Sequence, residues 1–195
     1  SRSMAQRLIA WLWQAAGLLF TNGTFNVLNG TLNLTGNSSG GTGVAFKGDM
    51  VANVAAGATL RATGISSSGT GMNLIVATTG AAHVVNLTGG GNLYLSGTSA
   101  TNSGVTIGLD RSFLNNGAGV FQLNATGTGV NGTGLTSAGG NSTFAGNVSI
   151  NANSAAYTGF YLSATGWNIT QTNGNLNIAT AVSGTGVSFN SLGNL

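Results

Sequence analysis

From residue 21 onward, the chain alternates short apolar pairs with polar stretches rich in glycine, serine, threonine and asparagine. The two members of each pair are separated by one residue, which places both side chains on one face of a β-strand. A second pair begins eleven or twelve residues after the first. The recurring sets are Leu32, Leu34, Val44 and Phe46; Leu60, Ala62, Met72 and Leu74; Leu93, Leu95, Val105 and Ile107; Val148, Ile150, Phe160 and Leu162; and Leu176, Ile178, Val187 and Phe189.

A glycine preceded by serine or threonine stands just before the second pair of each set. Such a glycine indicates either a positive φ or close packing of one coil on the next. Successive members are separated by 28, 33, 30, 25 and 27 residues, so the repeating unit has about 28 residues. The glycines are Gly43, Gly71, Gly104, Gly134, Gly159 and Gly186.

A unit of this size cannot bury its apolar face alone, but it can do so when it is stacked on the next unit. We therefore predict an all-β fold, a parallel β-solenoid of about six coils. The absence of proline fits, because each proline would remove a main-chain hydrogen bond between coils. An antiparallel β-sandwich and a filament subunit completed by a neighbour's strand remain alternatives.

Residues 1–20 differ from the repeats, since Leu8 to Phe20 is uncharged and rich in helix-forming residues. We predict a helix from about Met4 to Leu19. Its apolar stretch is too short to span a bilayer. The chain thus divides into an N-terminal apolar helix, 1–20, and a repeat domain, 21–195. The helix is expected to cap the core or to contact a membrane or another subunit; an uncleaved signal peptide is the remaining alternative.

Charged residues make up only 4% of the chain, and the formal net charge is +3. Stacked like charges would repel each other, whereas stacked Asn and Thr residues can form ladders. Two of the cations lie beside an acid in the sequence, so no basic face remains for nucleic acid. The charged residues are Arg2, Arg7, Lys47, Asp49, Arg61, Asp110 and Arg111.

No catalytic, cofactor or metal site is expected, and the chain is not predicted to be an enzyme. Paired-carboxylate catalysis needs two acids close together, and surface ion pairs with Lys47 and Arg111 explain Asp49 and Asp110 better. His83 has no second histidine or cysteine with which to hold a metal. Trp167 is expected to lie buried in a strand with Ile169.

Ten asparagines begin Asn-x-Ser/Thr triplets, which permits glycosylation, although turn chemistry alone could generate them. A threonine array for ice binding would need a regular Thr-x-Thr series, and only Thr126-Gly127-Thr128 fits one. The ten asparagines are Asn22, Asn29, Asn33, Asn37, Asn86, Asn124, Asn131, Asn141, Asn147 and Asn168.

The segments GTLNLTGNSSGGTGV (30–44), GATLRATGISSSGTGM (57–72), GNLYLSGTSATNSGV (91–105) and GNLNIATAVSGTGV (174–187) resemble repeats of large secreted bacterial adhesins. The resemblance is to the filamentous haemagglutinin type, exported by two-partner secretion or autotransporter routes. It covers residues 22–195 and implies a right-handed β-helical shaft on the bacterial surface. It carries over no functional residue, and residues 1–20 do not match the family's secretion domain.

The resemblance implies adhesion or aggregation through a cell-surface receptor or glycan of a host or another bacterium. Exposed Asn, Thr and Ser residues would make the contact, together with loops that break the period. The stretch Asp110 to Ala118 is the best candidate for such a loop. The alternative function is a self-assembling extracellular filament whose subunits associate end to end; membrane contact is expected only through residues 1–20.

Overall fold

A computed structural model of the chain describes residues 16–74, 83–108, 111–115, 119–137, 140–163 and 167–190. These residues form β-strands β1 to β19 and no helix. The strands fall into three sheets, which we call I, II and III, and from β2 onward the chain visits sheets II, III and I in turn. One strand from each sheet and the corners between them therefore make one turn of the coil.

Each sheet takes every third strand of the chain. Sheet I contains β1 (Ala16–Phe20), β4 (Thr42–Phe46), β7 (Met72–Leu74), β10 (Val105–Ile107), β13 (Leu135–Ser137), β16 (Thr158–Ser163) and β19 (Thr185–Asn190). Sheet II contains β2 (Gly23–Val27), β5 (Met50–Val54), β8 (His83–Thr88), β11 (Arg111–Asn115), β14 (Gly140–Phe144) and β17 (Trp167–Gln171). Sheet III contains β3 (Thr31–Ser38), β6 (Thr59–Ser66), β9 (Asn92–Ser99), β12 (Val120–Gly127), β15 (Asn147–Ser154) and β18 (Leu176–Val182).

Neighbouring strands run parallel in all three sheets. The register of sheet III places Leu60 opposite Leu32 on one side and Leu93 on the other, so the repeated leucines form one column. The predicted parallel β-solenoid is confirmed. An antiparallel β-sandwich is excluded for the described residues.

The core runs along the axis of the solenoid and is filled from all three sheets. Side chains alternate between buried and partly exposed along β9 and β12, as a strand with one face inward requires. Aromatic rings contact one another within and between the turns of this core. The ring of Phe121 lies 5.2 Å from that of Phe113 and 5.5 Å from that of Phe144, centroid to centroid. Each fully buried large apolar side chain contributes about 1.5–3 kcal/mol to folding.

The corner where sheet III passes into sheet I, which we call the narrow corner, explains the repeated glycines of the sequence. A Cβ added to Gly64 would lie 2.1 Å from the carbonyl oxygen of Gly71, and one on Gly43 would lie 2.3 Å from the Ile65 nitrogen. None of the six glycines has a positive φ. Of the two explanations open from the sequence, close backbone packing is therefore correct.

Serine side chains hold the same corner together from one turn to the next. The Ser66 hydroxyl is buried, donates to the Gly41 carbonyl of the preceding turn at 2.5 Å, and accepts from the Gly69 N–H at 2.8 Å. Ser99 and Ser154 lie at equivalent positions and donate to Gly69 and Gly132 in the same way. Each serine thus provides a hydrogen-bond partner for corner main-chain groups that do not pair with a neighbouring strand.

Two predictions are wrong where the structure describes them. Ala16–Phe20 is strand β1, not the end of a helix, and it pairs with β4, so the solenoid begins before residue 21. Within the expected loop Asp110–Ala118, Arg111–Asn115 is strand β11, paired with β8 and β14. The tertiary pairing overrides the local signal in both cases. The rest of the predicted helix and of the predicted loop lies outside the described residues.

Candidate functional site

Sheet III has the longest strands and presents the broadest outer surface, which we call the amide face. Alternate residues of its strands point away from the core, three of them near the middle of each strand. Most are uncharged and polar, Ile65, Ala179 and Ala181 are apolar, and Arg61 alone carries a charge. The amide face consists of Asn33, Thr35, Asn37, Arg61, Thr63, Ile65, Tyr94, Ser96, Thr98, Gln122, Asn124, Thr126, Ser149, Asn151, Asn153, Asn177, Ala179 and Ala181.

Amide side chains on this face are hydrogen-bonded both within and between turns. The Oδ1 atom of Asn124 accepts from Nδ2 of Asn151 at 2.9 Å and from Nε2 of Gln122 at 3.1 Å. The Oδ1 atom of Asn153 accepts from the main-chain N–H of Ala181 at 3.0 Å. These bonds fix the orientation of the amides, so the face presents a rigid set of donors and acceptors to an approaching molecule.

The outer surface of sheet II shows the same ladders, as the sequence predicted for stacked asparagines. Asn53 Nδ2 donates to Asn26 Oδ1 at 2.8 Å, and Asn168 Nδ2 donates to Asn141 Oδ1 at 2.9 Å. The ladder prediction is therefore confirmed on two of the three sheets.

Arg61 and Tyr94 form a contact that was not predicted from the sequence. The two residues are directly paired in register on β6 and β9, and the guanidinium carbon lies 4.4 Å from the centre of the tyrosine ring. This is a cation–π geometry. The signal was present in the sequence, since Arg61 and Tyr94 are separated by the same interval as Leu60 and Leu93.

Asp49 has a structural role in the described part of the chain. Its carboxylate accepts a hydrogen bond from the Val84 N–H at 2.9 Å, and its own N–H donates to Asn22 Oδ1 at 2.9 Å. The carboxylate thereby links the corner before β5 to strand β8 of the next turn. The expected ion pair of Asp49 with Lys47 stays a prediction, and Asp110 lies outside the described residues.

The other chemically interesting residues occupy strands. His83 begins β8, and its Cα partner is Arg111 at the start of β11. Trp167 begins β17, as predicted for a strand, and Ile169 in the same strand packs against the core. In the described ranges no group of three or more His, Cys, Asp or Glu residues that could hold a metal ion occurs.

Several asparagines of the Asn-x-Ser/Thr triplets are engaged in the solenoid itself. Asn22, Asn124 and Asn141 accept side-chain or main-chain hydrogen bonds from the next turn, and Asn147 accepts from the Asn175 N–H at 3.0 Å. Hydrogen bonding between turns therefore gives several of these asparagines a structural role. Glycosylation stays a prediction, for which Asn29 and Asn131 are well placed, since both are exposed and lie in corners outside the strands.

Threonines do not form a continuous array on the amide face. Thr35 stacks with Thr63, and Thr98 stacks with Thr126, in two different columns. Asparagine, serine or apolar residues occupy the remaining places of both columns. The interrupted series matches the irregularity seen in the sequence, and it lacks the regular Thr-x-Thr order that ice binding requires.

Comparison with known proteins identifies no relative: no protein family model, no curated protein and no solved structure matches the chain. In the part of the chain that the structure describes, there is also no helix that could span a bilayer. The fold and the amide face therefore carry the functional interpretation.

Proposed function

We propose that this chain is a structural and binding segment of a secreted bacterial surface adhesin. In this function, a stiff β-helical shaft mediates adhesion to other cells or aggregation. The resemblance of the repeats to adhesins of the filamentous haemagglutinin type supports the proposal, and a parallel β-solenoid is compatible with that family's shaft. The single observation that carries it is the amide face, one broad polar surface with a single charged residue along the length of sheet III.

The mechanism is the presentation of this surface by a rod that resists bending. Main-chain hydrogen bonds join every turn to the next along three sheets, and a continuous apolar core fills the interior. The amides and hydroxyls of the amide face can both donate and accept hydrogen bonds, which suits a glycan or the polar surface of a receptor. The low charge avoids repulsion from anionic cell surfaces on approach.

The extracellular location belongs to the same proposal. A chain without cysteine is suited to export in an unfolded state, because no disulfide can form before it crosses the outer membrane. Few lysines and arginines also leave few sites for trypsin-like proteases outside the cell.

An adhesion assay with matched surface variants tests the function. Beads coated with the protein are expected to attach to cultured host cells or to bacteria, and beads coated with an inert protein are not. A Thr35→Glu/Asn37→Glu double variant, which places two charges on the amide face, should reduce attachment. The matched control, Ser39→Glu/Ser67→Glu, adds the same charge at exposed positions of the narrow corner and should attach normally. Equal attachment by both variants would refute the role of the amide face, and no attachment by the unaltered protein would refute adhesion.

A second proposed function is the self-assembling filament, in which the end turns of two copies would pack on each other. In the last described turn, Leu176, Ile178 and Val187 are 38%, 37% and 39% exposed. Equivalent residues of the preceding turn, such as Val148 and Ile150, are buried. Another copy that docked its first turn here would cover these side chains and extend the rod, a head-to-tail contact that does not close.

Electron microscopy over a range of protein concentrations separates the two functions. A filament subunit gives fibres that lengthen with concentration, and an Ile178→Lys variant should shorten them because it places a charge in the docking surface. An adhesin shaft gives single short rods at all concentrations. Rods that do not lengthen would exclude the filament.

A further inference from the structure

Arg61 is the one charged side chain of the amide face, and it is exposed and held in place. Its guanidinium lies over the ring of Tyr94, at 4.4 Å from the ring centre. This cation–π contact holds the guanidinium over the ring, and because Arg61 is exposed its N–H groups can meet a ligand. An arginine held in this way loses less conformational freedom on binding than a free one.

The positive charge of Arg61 has no acidic neighbour on its own face among the described residues. Asp49, the one acid of the described ranges, precedes β5 at the corner between sheets I and II, where its carboxylate accepts from Val84. Arg61 lies on β6, on the outer surface of sheet III. The amide face therefore offers one uncompensated cation in surroundings that are otherwise neutral.

Two amide side chains flank the Arg61–Tyr94 pair, one on each side. Asn33 is the register partner of Arg61, and Gln122 is the register partner of Tyr94, so the four residues form a row across four turns. Adjacent strands are about 4.8 Å apart. Within the described residues, the Asn33 amide makes no hydrogen bond, and Gln122 uses only its Nε2 group. Both residues therefore retain donors or acceptors for a ligand.

From this row we infer that the amide face binds a glycan bearing carboxylate groups, with Arg61 as the carboxylate-binding residue. The inference rests on the proposed adhesive function and names the chemical class of its ligand. A guanidinium edge matches a planar carboxylate with two parallel N–H···O bonds. Asn33 and Gln122 match sugar hydroxyls, which both donate and accept. Tyr94 is a positioning residue that holds the guanidinium over its ring.

The surroundings of Arg61 favour a sugar acid over the other carriers of negative charge. A nucleic acid would require several cations to contact its phosphates, and this face has one. A protein interface is normally centred on a cluster of buried aromatic or apolar anchors, and this face offers only Tyr94, whose ring lies under the Arg61 guanidinium, and Ile65, which is 44% exposed. A carboxylated glycan needs one cation and many neutral hydrogen-bonding groups, which is the composition of this row.

The test measures binding of the full chain to three carboxylated ligands by calorimetry: galacturonic acid oligomers, hyaluronan oligosaccharides and sialyllactose. Each is compared with its carboxyl-reduced, neutral counterpart, and dextran sulfate reports on sulfate recognition. At least one carboxylated ligand should bind, and its neutral counterpart should bind about tenfold more weakly or not at all, as expected for the loss of a hydrogen bond to a charged group.

Three variants and one control assign the effect to the residues. Arg61→Gln should lower the affinity about tenfold or more, and Arg61→Lys should restore it only in part because the two-pronged geometry is lost. Tyr94→Leu should lower the affinity with Arg61 intact. Lys47→Gln removes the same charge away from the amide face and should leave binding unchanged. Arg61 is exposed, so the unfolding temperatures of its variants should equal that of the unaltered protein.

In the binding measurements, four outcomes would overturn the inference: no binding of any carboxylated ligand, equal binding of carboxylated and neutral ligands, recognition of dextran sulfate alone, or equal affinity of Arg61→Gln and the unaltered protein. Attachment of Arg61→Gln-coated beads at the normal level would refute this ligand class while the adhesive function stands. Binding of a carboxylated glycan without attachment to any cell would support the ligand class and count against adhesion.

Discussion

Two corners of the solenoid use glycine for different physical reasons. At the narrow corner, between sheets III and I, Gly64 is needed because a Cβ would collide with the main chain at Gly71. At the corner between sheets II and III, which we call the turn corner, Gly57 has a φ of +80° and nothing lies within 4 Å of the place where a Cβ would be. Glycine is thus required at the narrow corner because there is no room for a Cβ, and at the turn corner because the main chain has a positive φ.

The comparison also shows that the narrow corner changes along the rod. The inward position that is Gly64 in β6 and Gly97 in β9 is occupied by the buried residues Ala125 in β12 and Ala152 in β15. Later turns therefore accommodate a methyl group that the earlier turns exclude. The distance between neighbouring main-chain segments at the narrow corner therefore differs from turn to turn.

The largest expected effect comes from filling the tight part of the narrow corner. Gly64→Ala should lower the free energy of unfolding by about 3 kcal/mol, because the new methyl group can be accommodated only if the main chain shifts. Gly40→Ala is the matched control, since a Cβ there meets nothing within 4 Å and its φ is not positive.

Denaturant unfolding followed by circular dichroism measures both variants. Gly40→Ala should unfold at the same denaturant concentration as the unaltered protein or at a slightly higher one, because alanine restricts the unfolded chain. If Gly64→Ala matched its control, the close approach of the two strands would not contribute to stability.

A smaller effect is expected from the serine that bridges two turns in this corner. Ser66→Ala should cost about 2 kcal/mol, because the Gly41 carbonyl and the Gly69 N–H lose their buried partner. Ser68→Ala, in the same corner, removes an exposed hydroxyl that donates to the Ser39 carbonyl at 2.9 Å, and should cost less than about 0.5 kcal/mol.

Hydrogen exchange is a suitable second measurement for the serine pair. Loss of the Ser66 bridge should raise the exchange rate of the Gly69 amide, whereas Ser68→Ala should leave it unchanged. Similar unfolding free energies for the two variants would mean that water replaces the buried bridge.

The fold could be predicted from the sequence because the spacing of the apolar residues has a direct physical cause. Leu32, Leu60 and Leu93 must lie on one face of their strands and need one another to exclude water, which only stacking in parallel provides. Strand β1 has the same spacing of apolar residues: Leu18 and Phe20 are paired with Val44 and Phe46. Its continuous apolar run also fits a helix, and periodicity alone does not separate the two for so short a segment.

The candidate site was less accessible from sequence, because it depends on which outward residues share a row. The polar character of the faces was predicted, but the Arg61–Tyr94 contact required the register of β6 against β9. The two kinds of glycine were also indistinguishable, since local sequence does not report the distance to the next turn.

The smallest expected effect isolates backbone conformation at the turn corner. Ala55 to Ala58 form a turn closed by a 2.9 Å bond from the Ala58 N–H to the Ala55 carbonyl, and Gly57 supplies its positive φ. Gly57→Ala should cost about 1 kcal/mol, because alanine is strained in this region although there is room for its methyl group. Gly57→Asn should cost less, since asparagine tolerates a positive φ better. In the narrow corner the order should reverse, and Gly64→Asn should be worse than Gly64→Ala because it is larger. Thermal unfolding measures the four variants. If alanine and asparagine ranked in the same order of stability in both corners, one mechanism would govern both glycines.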